Sequence, residues 1–301
     1  MFELKNEKIA IPVVLFAGLL WSFGPLVVRH MDQPGLVPWQ YIFARGLTIF
    51  IVLNLYLYFE EGKNFLKNYL KVGVSGLIGG CGLGIAMITF IYSITNTTAA
   101  VTLLCLAAMP FFTALLGFLF LKEKISFNVW IAIIIATIGI IIIALGNTEK
   151  NSIIGLIFGM TSSIGFSIFS VSLRWRKETP KFTTVAIAGL FCVIIALTFI
   201  AINESTILST SYNGALFSLH GTIVCMGLIL YSIGSRAIPA AELTLLSLTE
   251  VIGGIFWVWL PLFGINEVPS TNTIIGGFFL FMSIIYYSLT IKSNRRFIAL
   301  N

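Results

Sequence analysis

The sequence predicts an all-α integral membrane protein with ten transmembrane helices, arranged as two inverted five-helix repeats with both termini in the cytoplasm. Three observations predict this fold: the apolar composition, the number of apolar segments and the placement of basic residues. Hydrophobic residues make up 58% of the 301 residues and charged residues only 10%, whereas about a quarter of a soluble domain is charged. The chain is therefore expected to lie in a lipid bilayer.

Apolar segments follow one another along the whole chain, each close to the roughly 20 residues that cross a bilayer as a helix. In order, these segments are 11–29, 39–58, 72–93, 97–121, 127–145, 153–173, 182–202, 214–233, 239–263 and 271–291. They leave only about a hundred residues for loops and tails. Any function is therefore expected to lie within the membrane.

Basic residues test this number of spans, because cytoplasmic loops carry an excess of Lys and Arg. If the N-terminus is cytoplasmic, 15 of the 18 basic residues fall in inward-facing segments. The outward loops hold only Arg29 and Lys150, and Arg45 lies within a helix. One helix more or fewer would exchange the sides of all later loops, so the asymmetry favours ten spans. The excess of basic residues in the inward-facing segments also accounts for the net charge of +6, so this charge does not indicate nucleic-acid binding.

Two internal echoes indicate a duplication. Residues 92–126 and 231–270 both open with Tyr-Ser-Ile, reach Ala-Ala, run apolar for one membrane thickness and close on a Glu three residues before a Ser. Residues 19–30 similarly echo residues 161–174. The predicted repeats are 1–148 and 149–301. Five spans in the first repeat make the second enter the bilayer from the opposite face, as is typical of secondary transporters.

Short sequence motifs, spread over nearly the whole chain, resemble those of a known protein family. The chain resembles the EamA type of the drug/metabolite transporter superfamily at positions along four spans: Leu20, Trp21 and Pro25; Phe43 and Arg45; Pro110, Phe111 and Glu123; and Leu248, Glu250, Val251 and Glu267. It departs from the commonest pattern at Val251, where many relatives have Pro, and at residues 264–267, where they often have Leu-Gly-Glu.

This resemblance implies a definite architecture and activity. It implies a central cavity lined by helices one, three, four, six, eight and nine, with helices five and ten at the periphery. It also implies exchange or export of small organic metabolites by rocking of the two repeats.

Glu250 is the first candidate for function, because a charged side chain at mid-bilayer costs about 3 kcal/mol on insertion scales and usually faces a bundle interior. Ser247, Glu250, Gly254 and Trp257 follow at offsets of three, four and three residues, which place them on one helix face. We predict that this face is a cavity wall. There, Glu250 is either a counter-ion or a proton carrier. The alternative is a structural hydrogen bond to a neighbouring helix.

Arg45 and the aromatic residues have two interpretations each. Arg45 either binds a substrate carboxylate, which together with Glu250 would suit a zwitterion, or it reaches the outer interface or pairs with Asp32. Trp21 lies at mid-span, where it is expected to line the cavity; the alternative is plain packing between helices. Tyr92 and Tyr231 occupy matching repeat positions, where they either line the cavity or anchor helix ends at the interface.

The sixth and eighth spans supply the last candidates. Ser163 belongs to a one-sided polar stripe beside Phe166, and such serines either line a cavity or join helices. His220 lies inside the eighth span, where it either relays protons or packs with a hydrogen bond.

The expected function is a secondary active transporter in the cytoplasmic (inner) membrane. It would move an amino acid, an amine or a quaternary ammonium compound by alternating access, with a proton or counter-substrate as possible partner, and would act as a monomer or weak homodimer. One alternative is an aromatic amino-acid or drug exporter in which Glu250 is structural. A more distant one is a membrane enzyme acting on a lipid-linked substrate, which the absence of an Asp-rich or His-x-x-x-His motif disfavours. We expect no catalytic residue, cofactor or metal; the cysteines, Cys81, Cys105, Cys192 and Cys225, lie in apolar runs.

Overall fold

The fold is a bundle of long helices in a computed structural model that describes residues 6–123, 125–146, 153–176, 178–265, 268 and 270–298. In chain order the helices are α1 (Glu7–Arg29), α2 (Pro38–Glu61), α3 (Gly73–Asn96), α4 (Ala99–Leu121), α5 (Phe127–Gly146), α6 (Ile153–Trp175), α7 (Lys181–Ile202), α8 (Ser211–Gly234), α9 (Ala240–Trp259) and α10 (Thr271–Ile298). Each overlaps one of the apolar segments predicted from the sequence.

Eight of these helices are long and apolar enough to cross a bilayer, which makes the chain a multi-pass membrane protein. The other two, α5 and α10, contribute the shorter apolar stretches Phe127–Ile142 and Ile274–Tyr287. Large apolar side chains remain exposed along the bundle, as expected of a surface that faces lipid rather than water; examples are Phe118, Ile134 and Phe278.

Three helices are interrupted within the membrane, whereas the sequence predicts continuous spans. α1 breaks between Trp21 and Gly24, and α4 breaks at residues 107–108. Pro25 and Pro110 lie in the first turn after these breaks, where the missing proline N–H leaves no hydrogen bond unmade.

The third break is in α9, where no proline marks it. The helix stops at Leu246 and restarts at Thr249. The turn closes through a hydrogen bond from the Glu250 N–H to the Ser247 carbonyl at 2.9 Å and through one from Val251 to Leu248 at 3.0 Å. These bonds span three residues instead of four, so they shift the helical phase at this point.

The main contacts between helices recur in a pattern along the chain. Each of them has a counterpart between the two helices that lie five positions away in chain order. α3 packs along α6, and α8 packs along α1; α3 packs on α7, and α8 packs on α2. α4 contacts α6, and α9 contacts α1. In addition, three helices contact their own counterparts in the other half: α2 contacts α7, α4 contacts α9, and α5 contacts α10.

Glycines bring the central helices into backbone contact. A Cβ atom on Gly165 in α6 would lie 2.6 Å from the Gly82 carbonyl oxygen in α3, and a Cβ on Gly189 in α7 would lie 2.7 Å from the Gly46 carbonyl oxygen in α2. Real Cβ atoms do not approach so closely, so only glycine permits this spacing.

Different polar contacts are found at the two ends of the bundle. At one end Arg174 pairs with Glu123 at 2.6 Å, and Lys181 donates to the Ser235 hydroxyl at 2.7 Å. At the other end the His30 ring is hydrogen-bonded to the Phe263 carbonyl. The first end carries the loops that the basic residues predict to be cytoplasmic.

Candidate functional site

A cavity of about 70 Å³ lies inside the bundle where the broken helices meet. Its lining comes from α1, α3, α4, α6, α8 and α9, as the resemblance implies, and α2 adds Arg45. None of the lining residues belongs to α5 or α10. The lining residues are Trp21, Arg45, Leu83, Ala86, Met87, Phe90, Leu106, Met109, Ser162, Phe166, His220, Val224, Leu228 and Glu250.

Glu250 reaches this cavity because it is the second residue of the half-helix Thr249–Trp259, directly after the break in α9. Its side chain is only 8% exposed. Within the described part of the chain, no group donates a hydrogen bond to its carboxylate. A buried carboxyl group without a donor is costly, so its hydrogen-bonding capacity is left for whatever enters the cavity.

Arg45 lines the same cavity and is 3% exposed. Its Nη2 donates to the Met87 carbonyl at 3.1 Å, and its guanidinium carbon lies 5.8 Å from the centre of the Tyr41 ring. The interpretation in which Arg45 reaches the outer interface or pairs with Asp32 is wrong, because the side chain is buried and directed into the bundle.

Arg45 and Glu250 line the same cavity. Nevertheless, among the described residues no N–O distance of 4.0 Å or less joins them, and the ion pair found there is Arg174–Glu123. A basic and an acidic side chain therefore share one buried cavity without forming an ion pair.

His220 lies beside them and is 1% exposed. Its Nδ1 is hydrogen-bonded to the Tyr41 hydroxyl, and its Nε2 would lie 3.0 Å from a Cβ on Gly24 at the break in α1. Sequence reasoning missed Tyr41. The available signal was its position four residues before Arg45, which puts both side chains on one face of α2.

An aromatic wall faces the polar groups. Trp21 donates from Nε1 to the Val224 carbonyl at 3.2 Å, and its ring meets Phe166 edge to face with 5.4 Å between the ring centres. Tyr231 lies behind this wall, 5.2 Å from Phe166, with its hydroxyl hydrogen-bonded to Ser170 at 2.6 Å. Tyr231 therefore supports the wall but is not among the lining residues.

Two predicted residues of α9 lie away from the cavity lining. Trp257 stacks on Phe23 with 4.7 Å between ring centres and donates to the Ser22 hydroxyl at 2.8 Å. Ser247 is fully buried, and its hydroxyl donates to the Thr244 carbonyl at 2.8 Å. The break lies between Ser247 and Glu250 and separates these two side chains. Trp257 follows Glu250 by seven residues in the same half-helix, but its indole packs on α1 instead of lining the cavity.

Ser163 and Tyr92 also have structural partners. Ser163 donates to the Cys105 carbonyl, and Ser167 donates to the Met109 carbonyl at 3.2 Å, so these serines join α6 to the two sides of the break in α4. Tyr92 packs against Trp39 near the end of the bundle, with 5.1 Å between ring centres. In the described ranges, no three His, Cys, Asp or Glu side chains come together as metal ligands.

Comparison with known proteins finds similarity to transporters. Residues 8–145 match the EamA-like transporter family. An uncharacterized transporter of Helicobacter pylori is 26% identical over 182 residues, or 60% of each chain, so the match spans about 60% of that relative's length. The uncharacterized transporter YdfC of Bacillus subtilis is 28% identical over 286 residues, 91% of this chain and 88% of that one.

Two further comparisons extend this similarity. The pseudopaline exporter CntI of Pseudomonas aeruginosa is 24% identical over 221 residues, which are 72% of this chain and 75% of that one. One protein crystal structure has the same fold, with a TM-score of 0.73 and 16% identity over 96% of this chain and 99% of its own. The resemblance to EamA-type members of the drug/metabolite transporter superfamily is thus confirmed.

Proposed function

We propose that this EamA-type protein is a secondary transporter that carries a small organic metabolite with a cationic nitrogen across the cytoplasmic (inner) membrane. Amino acids, amines and quaternary ammonium compounds are the candidate substrates. The observation that carries the proposal is Glu250, a buried carboxyl group that faces a cavity and has no hydrogen-bond donor among the described residues. A cation beside the aromatic faces of Trp21 and Phe166 would satisfy it.

Alternating access between two inverted repeats, 1–148 and 149–301, is part of this proposal. The recurrence of helix contacts at a spacing of five helices supports the repeats. The breaks in α4 and α9, which lie in corresponding helices of the two halves, support a midplane site as in other repeat transporters. The cavity is smaller than the 300–1,000 Å³ typical of ligand pockets, so a metabolite would require the two halves to move apart.

Uptake into liposomes tests this function. We expect the purified, reconstituted protein to accumulate at least one radiolabelled amino acid, amine or quaternary ammonium compound down an imposed substrate or proton gradient, whereas protein-free liposomes do not. Absence of transport for all three classes would refute the proposed function.

The aromatic wall favours a second candidate, an aromatic amino-acid or drug exporter in which Glu250 is structural. One relative is named an exporter. Competition separates the candidates: neutral aromatic compounds would displace the labelled substrate of such an exporter, whereas the primary proposal requires a cationic nitrogen in every strong competitor.

Labelling of single cysteines tests the orientation, which we propose has both termini in the cytoplasm. In intact cells, an impermeant maleimide should label Leu208→Cys, an 83% exposed site between α7 and α8. Lys63→Cys, between α2 and α3, should be labelled only after permeabilisation. The unsubstituted protein is the blank, since its cysteines are buried or half-buried. The reverse pattern would contradict the proposed orientation.

We further propose that the Arg174–Glu123 pair holds the cytoplasmic end closed. Arg174 also donates to the Ser235 carbonyl at 2.8 Å and the Ile238 carbonyl at 2.7 Å, while Glu123 accepts from the Ala240 N–H at 3.2 Å. The pair therefore connects the ends of α4 and α6 to the start of α9.

Removing this pair should favour opening toward the cytoplasm. A partly exposed ion pair contributes up to about 1 kcal/mol, which corresponds to about a fivefold change in population. In a Val224→Cys background, Glu123→Gln should therefore raise the rate of cavity labelling from the cytoplasmic side about fivefold, and Lys71→Gln at the same end should not. Equal rates would exclude the pair as a closing contact.

A further inference from the structure

We propose that the substrate is a zwitterion, whose carboxylate is bound by Arg45 while its cationic nitrogen is bound by Glu250. This inference rests on the proposed function and narrows it, because amines and quaternary ammonium compounds carry no group for Arg45. It makes Arg45 a specificity-determining residue of the same cavity.

The first argument is the unused hydrogen-bonding capacity of both groups. A guanidinium has five N–H donors and a carboxylate has about four acceptor positions. Arg45 donates to the Met87 carbonyl, and Glu250 accepts nothing from the described residues. Both side chains are more than nine-tenths buried. Both residues line the same cavity, so a molecule bound there can reach the donors and acceptors that remain.

The second argument is the gap between the charges. Opposite charges in a low-dielectric interior attract strongly, yet Arg45 and Glu250 make no contact within 4.0 Å. A molecule with a carboxylate at one end and an ammonium group at the other would bridge the gap with its charges in the matching order. A guanidinium can bind the carboxylate through two parallel N–H donors, which fixes its orientation.

The third argument is the charge balance of the cavity. If both are ionised, the charges of Arg45 and Glu250 sum to zero, and the other lining residues apart from His220 carry no titratable side chain. An amine would leave one uncompensated positive charge in the membrane interior, which is costly. A zwitterion leaves none.

Arg45 is also held in place for this role. The Met87 carbonyl fixes one edge of the guanidinium, and the Tyr41 ring lies below it. Tyr41 is in turn hydrogen-bonded to His220. We therefore regard Tyr41 as a positioning residue that presents the free edge of Arg45 to the cavity.

Matched ligands test the inference on the intact protein in detergent, because a bound ligand raises the unfolding temperature by mass action. The probes are the twenty protein L-amino acids, the amines that their decarboxylation gives and the corresponding acids without the α-amino group. We expect at least one amino acid to bind at least tenfold more tightly than both of its analogues. An amine that binds as tightly as its parent amino acid would overturn the inference while leaving the proposed function intact. Binding by none of the amino acids, with transport of another cation, would also overturn it.

Charge-removing variants assign the two ends. Arg45→Gln should weaken binding of the amino acid at least tenfold and leave the affinity for its amine unchanged or higher. Glu250→Gln should weaken both. Arg45→Lys keeps the positive charge but loses the two parallel N–H donors, so its affinity for the amino acid should be intermediate. This variant is informative even if Arg45→Gln does not fold. If Arg45→Gln or Arg45→Lys lowers stability but leaves the ratio of amino-acid to amine affinity unchanged, Arg45 is structural and the inference fails.

Discussion

Glu250→Gln is expected to reduce uptake about 100-fold or more without destabilising the protein. Removing one partner of a buried charged contact costs about 3 kcal/mol in binding, and each 1.4 kcal/mol corresponds to about a factor of ten. The folded protein loses no hydrogen bond within its described part, because no donor there contacts the carboxylate. We therefore expect an unfolding temperature equal to or above that of the unsubstituted protein. Uptake in proteoliposomes and thermal unfolding in detergent measure the two effects.

Glu242→Gln is the matched control for this variant. Glu242 lies in the same helix, but its carboxylate accepts a hydrogen bond from the Tyr287 hydroxyl instead of facing the cavity. The same chemical change there should leave uptake largely intact. If Glu250→Gln transports normally and also loses stability, Glu250 is a structural residue, and the exporter alternative is preferred.

The sequence was sufficient to predict a helical, multi-pass membrane protein, in whose described part eight helices are long and apolar enough to cross a bilayer, and several of the residues that line the cavity. Apolar runs and loop charges depend on the bilayer itself, so they can be read without knowledge of packing. Trp21, Phe166, His220 and Glu250 were also predicted and do line the cavity. Whether these residues bind substrate remains a prediction.

The break in α9 shows why other site residues could not be placed. The offset between Ser247 and Glu250 puts them on one face only if the helix is continuous, whereas Trp257 shares a half-helix with Glu250 and is drawn to Phe23 and Ser22 of α1. Val251 stands where a proline would have signalled an interruption, yet the chain still turns at residues 247–248. At this turn Thr249 donates to the Leu15 carbonyl of α1 at 3.1 Å, a tertiary contact. Such contacts leave no mark in a local pattern.

Arg45 illustrates a second limit. Its distance along α2 is compatible with both an interfacial and a buried position. The choice depends on α3, which offers the Met87 carbonyl, and on α8, which brings His220 to Tyr41. The convergence of α2, α3 and α8 is a property of the assembled bundle, so the proximity of Arg45 to Glu250 emerges only in three dimensions.

Gly165→Leu is expected to destabilise the protein strongly, because it separates the two most extensively packed helices, α3 and α6. At Gly165 a Cβ alone would lie 2.6 Å from the Gly82 carbonyl oxygen and 3.0 Å from the Ala86 nitrogen. Both are backbone atoms, which cannot rotate away. Overpacking of this kind costs about 3 kcal/mol or more, or a fall of about 10 °C in unfolding temperature for a protein of this size. Yield of monodisperse protein and thermal unfolding measure the loss.

Gly277→Leu provides the matched control for this substitution. Gly277 also lies within a long helix, α10, but a Cβ there would meet no atom within 4 Å. Leucine is the better helix former, so this variant should be as stable as the unsubstituted protein.

Gly165→Ala should have a stability between those of Gly165→Leu and Gly277→Leu, since it adds the clashing Cβ without the rest of the side chain. Because α3 and α6 carry six of the cavity-lining residues, any Gly165→Ala protein that folds should also bind substrate more weakly. Equal stability of Gly165→Leu and Gly277→Leu would show that α3 and α6 do not pack through their backbones, and the cavity geometry derived from that contact would have to be abandoned.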